Sequence, residues 1–188
     1  MNKLIVNIIN TNLIEFFEKI FIINIGKEIS EDVFSNNKIK IINYSNDVFL
    51  WEIPTINLIR VFCEYNNNCQ ILYLHTKGII DPDNTKIIDW TDMMLYFLVI
   101  KHNYCFELLE KYDAIGCNYL LNPKHFSGNF WWSTSKHIKQ LDIIRDNLDR
   151  HQAEWWVCSK HANNTFEIHN SNLNHYNLNY PSNKYVIE

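Results

Sequence analysis

Glycine and proline are scarce in this chain of 188 residues, at four of each. That excludes collagen-like and linker-like architectures, and it marks Gly26, Gly78, Gly116 and Gly128 as places where the backbone needs glycine. Arginine is scarcer still, with only Arg60, Arg145 and Arg150. Lysine and arginine together number 17 against 21 acidic residues, a net charge of −4. A protein that grips many phosphates is normally basic, so general nucleic-acid binding is disfavoured, while one small anionic ligand stays open. The five cysteines, Cys63, Cys69, Cys105, Cys117 and Cys158, contain no C-x-x-C pair and are odd in number. This argues against a zinc site or disulfide framework and for reduced, mostly buried thiols. No apolar run is long and uncharged enough to span a bilayer, because Leu13–Ile25 carries Glu15, Glu18 and Lys19. The chain therefore reads as soluble and cytoplasmic.

Apolar material is plentiful: 47% of residues are hydrophobic, 14% aromatic and 20% charged. That is enough for a sizeable core in one domain, assigned to 1–161, with 162–188 as an irregular tail packed on it. Asn and Ile each occur 27 times. An AT-rich coding sequence imposes such an excess, so no chemistry is read into the Asn-rich stretches.

Apolar runs alternate with segments of helical period, the pattern of an α/β protein with a mixed sheet flanked by helices. Strands are expected at Lys3–Ile9, Lys38–Ile42, Cys69–His75 and Ala114–Cys117. A helix is expected over Pro54–Tyr65, with proline in its first turn and Ile56, Ile59 and Cys63 on one face. A long helix is expected from Trp90 to Tyr112, capped by Asp89. A third starts near Ser135 and would bury Ile138, Leu141, Ile144 and Leu148.

Three segments carry the candidate chemistry. In Leu74-His75-Thr76-Lys77-Gly78, an apolar strand ends in an imidazole, a hydroxyl and a cation before a glycine turn. Ligands of open α/β sheets lie outside the carboxyl ends of the strands, and this set suits an anionic ligand such as a diphosphate. In His125-Phe126-Ser127-Gly128-Asn129-Phe130-Trp131-Trp132, one of two adjacent strand tryptophans is expected to face away from the core. An outward ring beside His125, Ser127, Gly128 and Asn129 would form a sugar-contacting wall, with Trp131 or Trp132 as its stacking surface. In Glu154-Trp155-Trp156, flanking indoles would partly bury the carboxylate, raise its pKa and suit it to general-base work. The plainer alternative pairs Glu154 with Arg150, one turn back.

The order Glu52-x-Pro54-Thr55, Leu74-His75-Thr76-Lys77-Gly78, Trp90, Tyr112-Asp113-x-x-Gly116, His125 to Trp132 and Glu154-Trp155-Trp156 resembles a group of glycosyltransferase domains. These occur in bacterial polysaccharide loci and large DNA viruses and are distantly similar to rhamnan-synthesis transferases. The resemblance covers Glu52 to Trp156 and implies a GT-A-like fold. A nucleotide-sugar, UDP-, GDP- or dTDP-linked, would then sit over a Rossmann-like sheet and donate to a glycan or protein-linked acceptor, in the host cytoplasm for a viral chain. It implies donor binding at His75, Thr76, Lys77 and Gly78, and an acidic base at Glu154. It also implies that the segment 125–132 lines the sugars. The usual strand-end D-x-D is replaced by His75-Thr76-Lys77, and Asp81-Pro82-Asp83 follows as a turn with proline at its corner. Metal use is therefore open: Mn²⁺ or Mg²⁺ would fall to Asp81, Asp83 and His75, and Lys77 can instead neutralise the leaving diphosphate. The alternative is a degenerate, non-catalytic member that binds nucleotide or glycan. A phosphate-ester hydrolase would want more clustered carboxylates than Asp81, Asp83 and Asp89.

Overall fold

The computed structural model describes residues 2–78, 81–145, 149–160 and 164–186. The chain opens with α1 (Asn2–Asn10), followed by the parallel strands β1 (Ile20–Ile25) and β2 (Ile39–Ser45). Next come α2 (Ile53–Tyr65), β3 (Gln70–Tyr73), α3 (Thr85–Leu95) and α4 (His102–Leu109). Strand β4 (Ala114–Cys117) leads into the hairpin β5 (Tyr119–Leu121) and β6 (Lys124–Phe126). The chain continues through β7 (Trp131–Thr134), α5 (Ser135–Ile138), α6 (His151–Trp155) and β8 (Thr165–His169).

The expected mixed α/β architecture is present, but the sheet is divided. Four strands join in the order β3-β7-β4-β8, while β1-β2 and β5-β6 stand as separate pairs. Strand β7 runs antiparallel to both β3 and β4, and β8 lies parallel to β4. Hence β3, β4 and β8 point one way and β7 the other. One face of this sheet packs Trp132 and Ile115 against α1, α3 and α4. The other packs Trp131 and Ala114 against α2, α5 and α6. No described helix is long and apolar enough to cross a membrane.

Several sequence expectations are corrected. Lys3–Ile9 is helical: Ile5 and Ile8 are buried three residues apart while Val6 and Ile9 are exposed, a helical rather than alternating pattern. The true first strand, β1, lies inside the apolar stretch that was given no strand. The long helix begins earlier than Trp90 and breaks in the middle. Asn84, not Asp89, caps it by accepting from the Lys86 and Ile87 amides at 3.1 and 3.4 Å. Between α3 and α4 a π-helical segment at Tyr96–Ile100 offers the Leu98 carbonyl to the Trp132 indole at 2.8 Å. The third helix is only α5, after which Leu141 and Ile144 stay buried in irregular chain; Leu148 lies outside the described residues. The tail expected to be irregular from Ala162 contains β8, an integral sheet strand, although residues 161–163 are outside the description.

Both neighbouring tryptophans are buried, Trp131 at 0% and Trp132 at 1% exposure. A central strand with helices on both faces has no outward side, so the expected exposed wall does not form. The thiol reading agrees with the structure: all five cysteines are free, and only Cys69 is not fully buried.

Gly116 is required by contact rather than by dihedral angle. A Cβ there would stand 2.3 Å from the Phe126 ring. Gly116→Ala is therefore expected to destabilise the fold by about 1–3 kcal/mol through overpacking. A lowered urea midpoint with an unchanged slope would show it, and an unchanged midpoint would refute it.

Candidate functional site

The strand directions gather the site. The carboxyl ends of β3, β4 and β8 and the amino end of β7 lie along one rim of the sheet. To that rim the chain brings His75 and Lys77 after β3, Asn118 after β4, Gly128 and Asn129 before β7, and Ser171 and His175 after β8. A cleft of about 2150 Å³ opens beside it, bounded by β1 and β3, which face each other with no ladder between them. Glu52, His75, Lys77, Arg150, Glu154 and Tyr176 all line this cleft.

At its floor, Glu52 ties three elements together. It precedes α2 but caps nothing. Its Oε2 instead accepts from the Asn129 amide at 2.6 Å and the Tyr73 hydroxyl at 3.2 Å, and its Oε1 lies 2.9 Å from His75 Nδ1. The other imidazole nitrogen, Nε2, donates to the Gly128 carbonyl at 3.0 Å. Burial pushes the Glu52 carboxyl up. The hydrogen bond and charge of His75, with the bonds from Asn129 and Tyr73, outweigh it and leave the carboxyl below its ordinary value. The His75 ring is thus held between the Glu52 carboxylate and the Gly128 carbonyl through its two nitrogens.

Lys77 sits over the Trp90 ring with Nζ 4.0 Å from its centroid. Among the described residues it makes no hydrogen bond or ion pair. Burial lowers its pKa, and the charges of Glu154 and Glu52 oppose that without cancelling it. A partly desolvated cation of this kind is available to an anionic ligand. Trp90 in turn stacks on His175, 5.2 Å between centroids and 7° between planes. His175 Nε2 meets the Asn118 amide at 3.1 Å and the Ser171 hydroxyl at 2.8 Å. Burial, with the nearby charges of His169 and Lys77, holds His175 below the ordinary histidine value against the pull of Asp89.

Glu154 comes from α6 and faces the same cleft, with no hydrogen bond or ion pair among the described residues. The alternative pairing with Arg150 is not formed. That guanidinium lies over the Trp51 ring instead, 5.1 Å from its centroid.

Thus the consecutive residues His75, Thr76, Lys77 and Gly78 share one cleft with Glu154, which lies far along the sequence. Of the segment 125–132 only Trp132 is among the cleft-lining residues, and at 1% exposure it offers no open ring face. His125 turns back to the Pro123 carbonyl, Ser127 lies outside the cleft lining, and Asn129 is buried against Glu52 and Trp131. Asp81 and Asp83 are exposed in the turn before α3, Asp81 accepting from Asn84. Both nitrogens of His75 are engaged, and among the described residues no three of His, Cys, Asp and Glu assemble as a metal cage. The three residues considered for a metal are therefore not arranged as a ligand set.

Sequence reading missed Tyr73, Asn118, Ser171 and His175, and gave Glu52 no role. A carboxylate directly before a proline-started helix would ordinarily be taken as a cap. Its engagement by His75 depends on β3 ending beside α2.

Because the folded-state carboxyl of Glu52 lies below 4.5, its stabilisation is complete above that pH and is lost as pH falls through the folded value. The stability difference between wild type and Glu52→Gln is therefore expected to be steady from pH 7 to 5 and to shrink below 4.5. Urea unfolding across that range reads it, and a difference that stays flat or grows on acidification would exclude the charged carboxylate.

No curated protein and no solved structure matches the chain. The family described as a domain of unknown function, DUF8361, matches residues 7–176, a span that holds every site residue from Glu52 to His175. The chain belongs to the DUF8361 family.

Proposed function

We propose that this chain is a glycosyltransferase that moves a sugar from a nucleotide-sugar donor to a glycan or protein-linked acceptor, on a GT-A-like variant of the α/β fold. The observation that carries the reading is the meeting, in one cleft, of an unpaired, partly desolvated cation and an unpaired carboxylate. Lys77 and Glu154 are those groups, and the cleft they share opens beside the carboxyl ends of three co-directional strands. Ligands of α/β sheets occupy that rim. Pockets for single small ligands commonly hold roughly 300–1,000 Å³. At about 2150 Å³ the cleft has room for donor and acceptor together.

In the proposed reaction the donor diphosphate lies against His75, Thr76, Lys77 and Gly78. The acceptor hydroxyl oxygen forms a bond to the anomeric carbon as the bond to the diphosphate oxygen breaks. Glu154 takes the hydroxyl proton, and Lys77 neutralises the charge that grows on the leaving diphosphate. The Glu52–His75 pair holds the loop that presents Lys77, through His75 to Gly128 and through Glu52 to Asn129. A fixed ammonium can serve where a metal otherwise would, which suits a strand that ends without a carboxylate pair.

Thermal shift against UDP, GDP and dTDP, with and without Mn²⁺, followed by assays of donor hydrolysis, tests the reading. Binding without hydrolysis or transfer would favour the degenerate, non-catalytic alternative, and no binding at all would end both. Lys77→Ala is expected to weaken binding of the preferred nucleoside diphosphate by about 1.5–3 kcal/mol in calorimetry. Equal affinity would remove Lys77 from the donor site. Glu154→Gln is expected to slow transfer by about 10²–10⁴-fold while sparing donor affinity. Turnover near wild type in a folded Gln variant would leave Glu154 without the proton.

A further inference from the structure

Trp51 stands apart from the other tryptophans. Trp90, Trp131, Trp132 and Trp156 are buried and Trp155 is half-buried, whereas Trp51 is 40% exposed and lines the cleft. Its backbone is at φ 52°, ψ −135°, a region that suits glycine and strains a residue with a bulky side chain. The surroundings impose that geometry. The Trp51 amide closes a turn on the Val48 carbonyl, and Glu52, the next residue, is fixed by Asn129, Tyr73 and His75. Among the described residues, the other five non-glycine residues with positive φ are all Asn, which tolerates such corners well. An indole kept where Asn or Gly would be relaxed points to a use for the ring. Strain of this kind clusters at ligand clamps.

The groups around the ring define what it would hold. Phe49 meets it edge-on at 6.4 Å and is itself exposed. Arg150 lies 5.1 Å from its centroid and has no carboxylate partner among the described residues. Four residues on, within α6, is Glu154, also without a hydrogen bond or ion pair among the described residues, and the exposed Tyr176 lines the same cleft. An aromatic plate takes the C–H face of a pyranose ring. A guanidinium donor and a carboxylate acceptor beside it match sugar hydroxyls, which both donate and accept. A flat nucleobase would use the plate but has less need of paired donors and acceptors around its rim.

We propose that Trp51, flanked by Arg150 and Phe49, is the platform that binds a pyranose ring of the acceptor glycan. It would thereby bring a hydroxyl to Glu154, an assignment that rests on the transfer reading of the same cleft. The platform sets acceptor specificity, whereas the loop at Lys77 takes the donor.

The test uses an array of pyranose-containing oligosaccharides, probed with the full chain and with Trp51→Gly and Trp51→Phe. Glycine suits the strained backbone, so Trp51→Gly is expected to melt no lower than wild type while losing about tenfold or more in glycan affinity. Trp51→Phe keeps a ring and is expected to stay within about threefold of wild type. Wild-type binding to no pyranose glycan, or equal binding by Trp51→Gly, would overturn the platform. Nucleotide stabilisation of the wild-type chain is measured separately. Glycan binding through Trp51 with no response to any nucleotide keeps the platform and removes transfer. Nucleotide binding and donor hydrolysis with glycan binding indifferent to residue 51 does the reverse.

Discussion

The arrangement of the cleft depends on one half-buried carboxylate. Glu52 joins the start of α2, the exit from β3 and the entry to β7 through His75, Tyr73 and Asn129. Taking that charge out of water is costly, and only the full set of donors makes its ionised form the favoured one. Every group that reaches the cleft from the sheet rim is placed relative to this knot. The chain path to Lys77 begins at His75, and the His75 ring is braced against Gly128 on its far side. Residue 51 inherits its strained backbone from the same constraint. The knot thus fixes the start of the loop that carries Lys77, while Lys77 and Glu154 beside it make no hydrogen bond or ion pair among the described residues.

Much of the local structure was legible in the sequence, for physical reasons that can be named. The α2 helix follows from proline in its first turn and an apolar face at Ile56 and Cys63. The strands β2, β3 and β4 follow from short apolar runs bounded by polar residues, and β3 stops two residues short of His75. The α1 helix was misread because Ile and Val favour strands in general, although their spacing here is helical. Strand β8 was hidden because its residues are half-buried and gain their place only by pairing with β4. Tertiary context overrides a weak local signal there.

The candidate site divides in the same way. His75, Lys77 and Glu154 stood out as polar, titratable groups beside apolar or aromatic segments, and they share the cleft. Trp131 and Trp132 misled because sequence alone could not show that β7 is central and covered on both faces. The asparagines misled in the opposite direction. Compositional excess concealed that Asn118 and Asn129 take left-handed backbone at the rim while their side chains hold His175 and Glu52. In a chain with four glycines, Asn makes corners that glycine would make elsewhere, and it adds a hydrogen-bonding side chain at each.

The strand order β3-β7-β4-β8 has a kinetic side. No two strands that pair in it are consecutive in the chain: Gln70 pairs with Thr134, and Ala114 with Thr165. The β3–β7 and β4–β8 ladders must each close a long loop before any reward arrives, which makes this sheet slow to assemble. During synthesis, β3 and β4 leave the ribosome well before β7 and β8 can join them. Until then their apolar edges are open to other chains. The helical layers α2 and α3–α4, which are local in sequence, are the parts able to form early and shield those edges while the last strand is still being made.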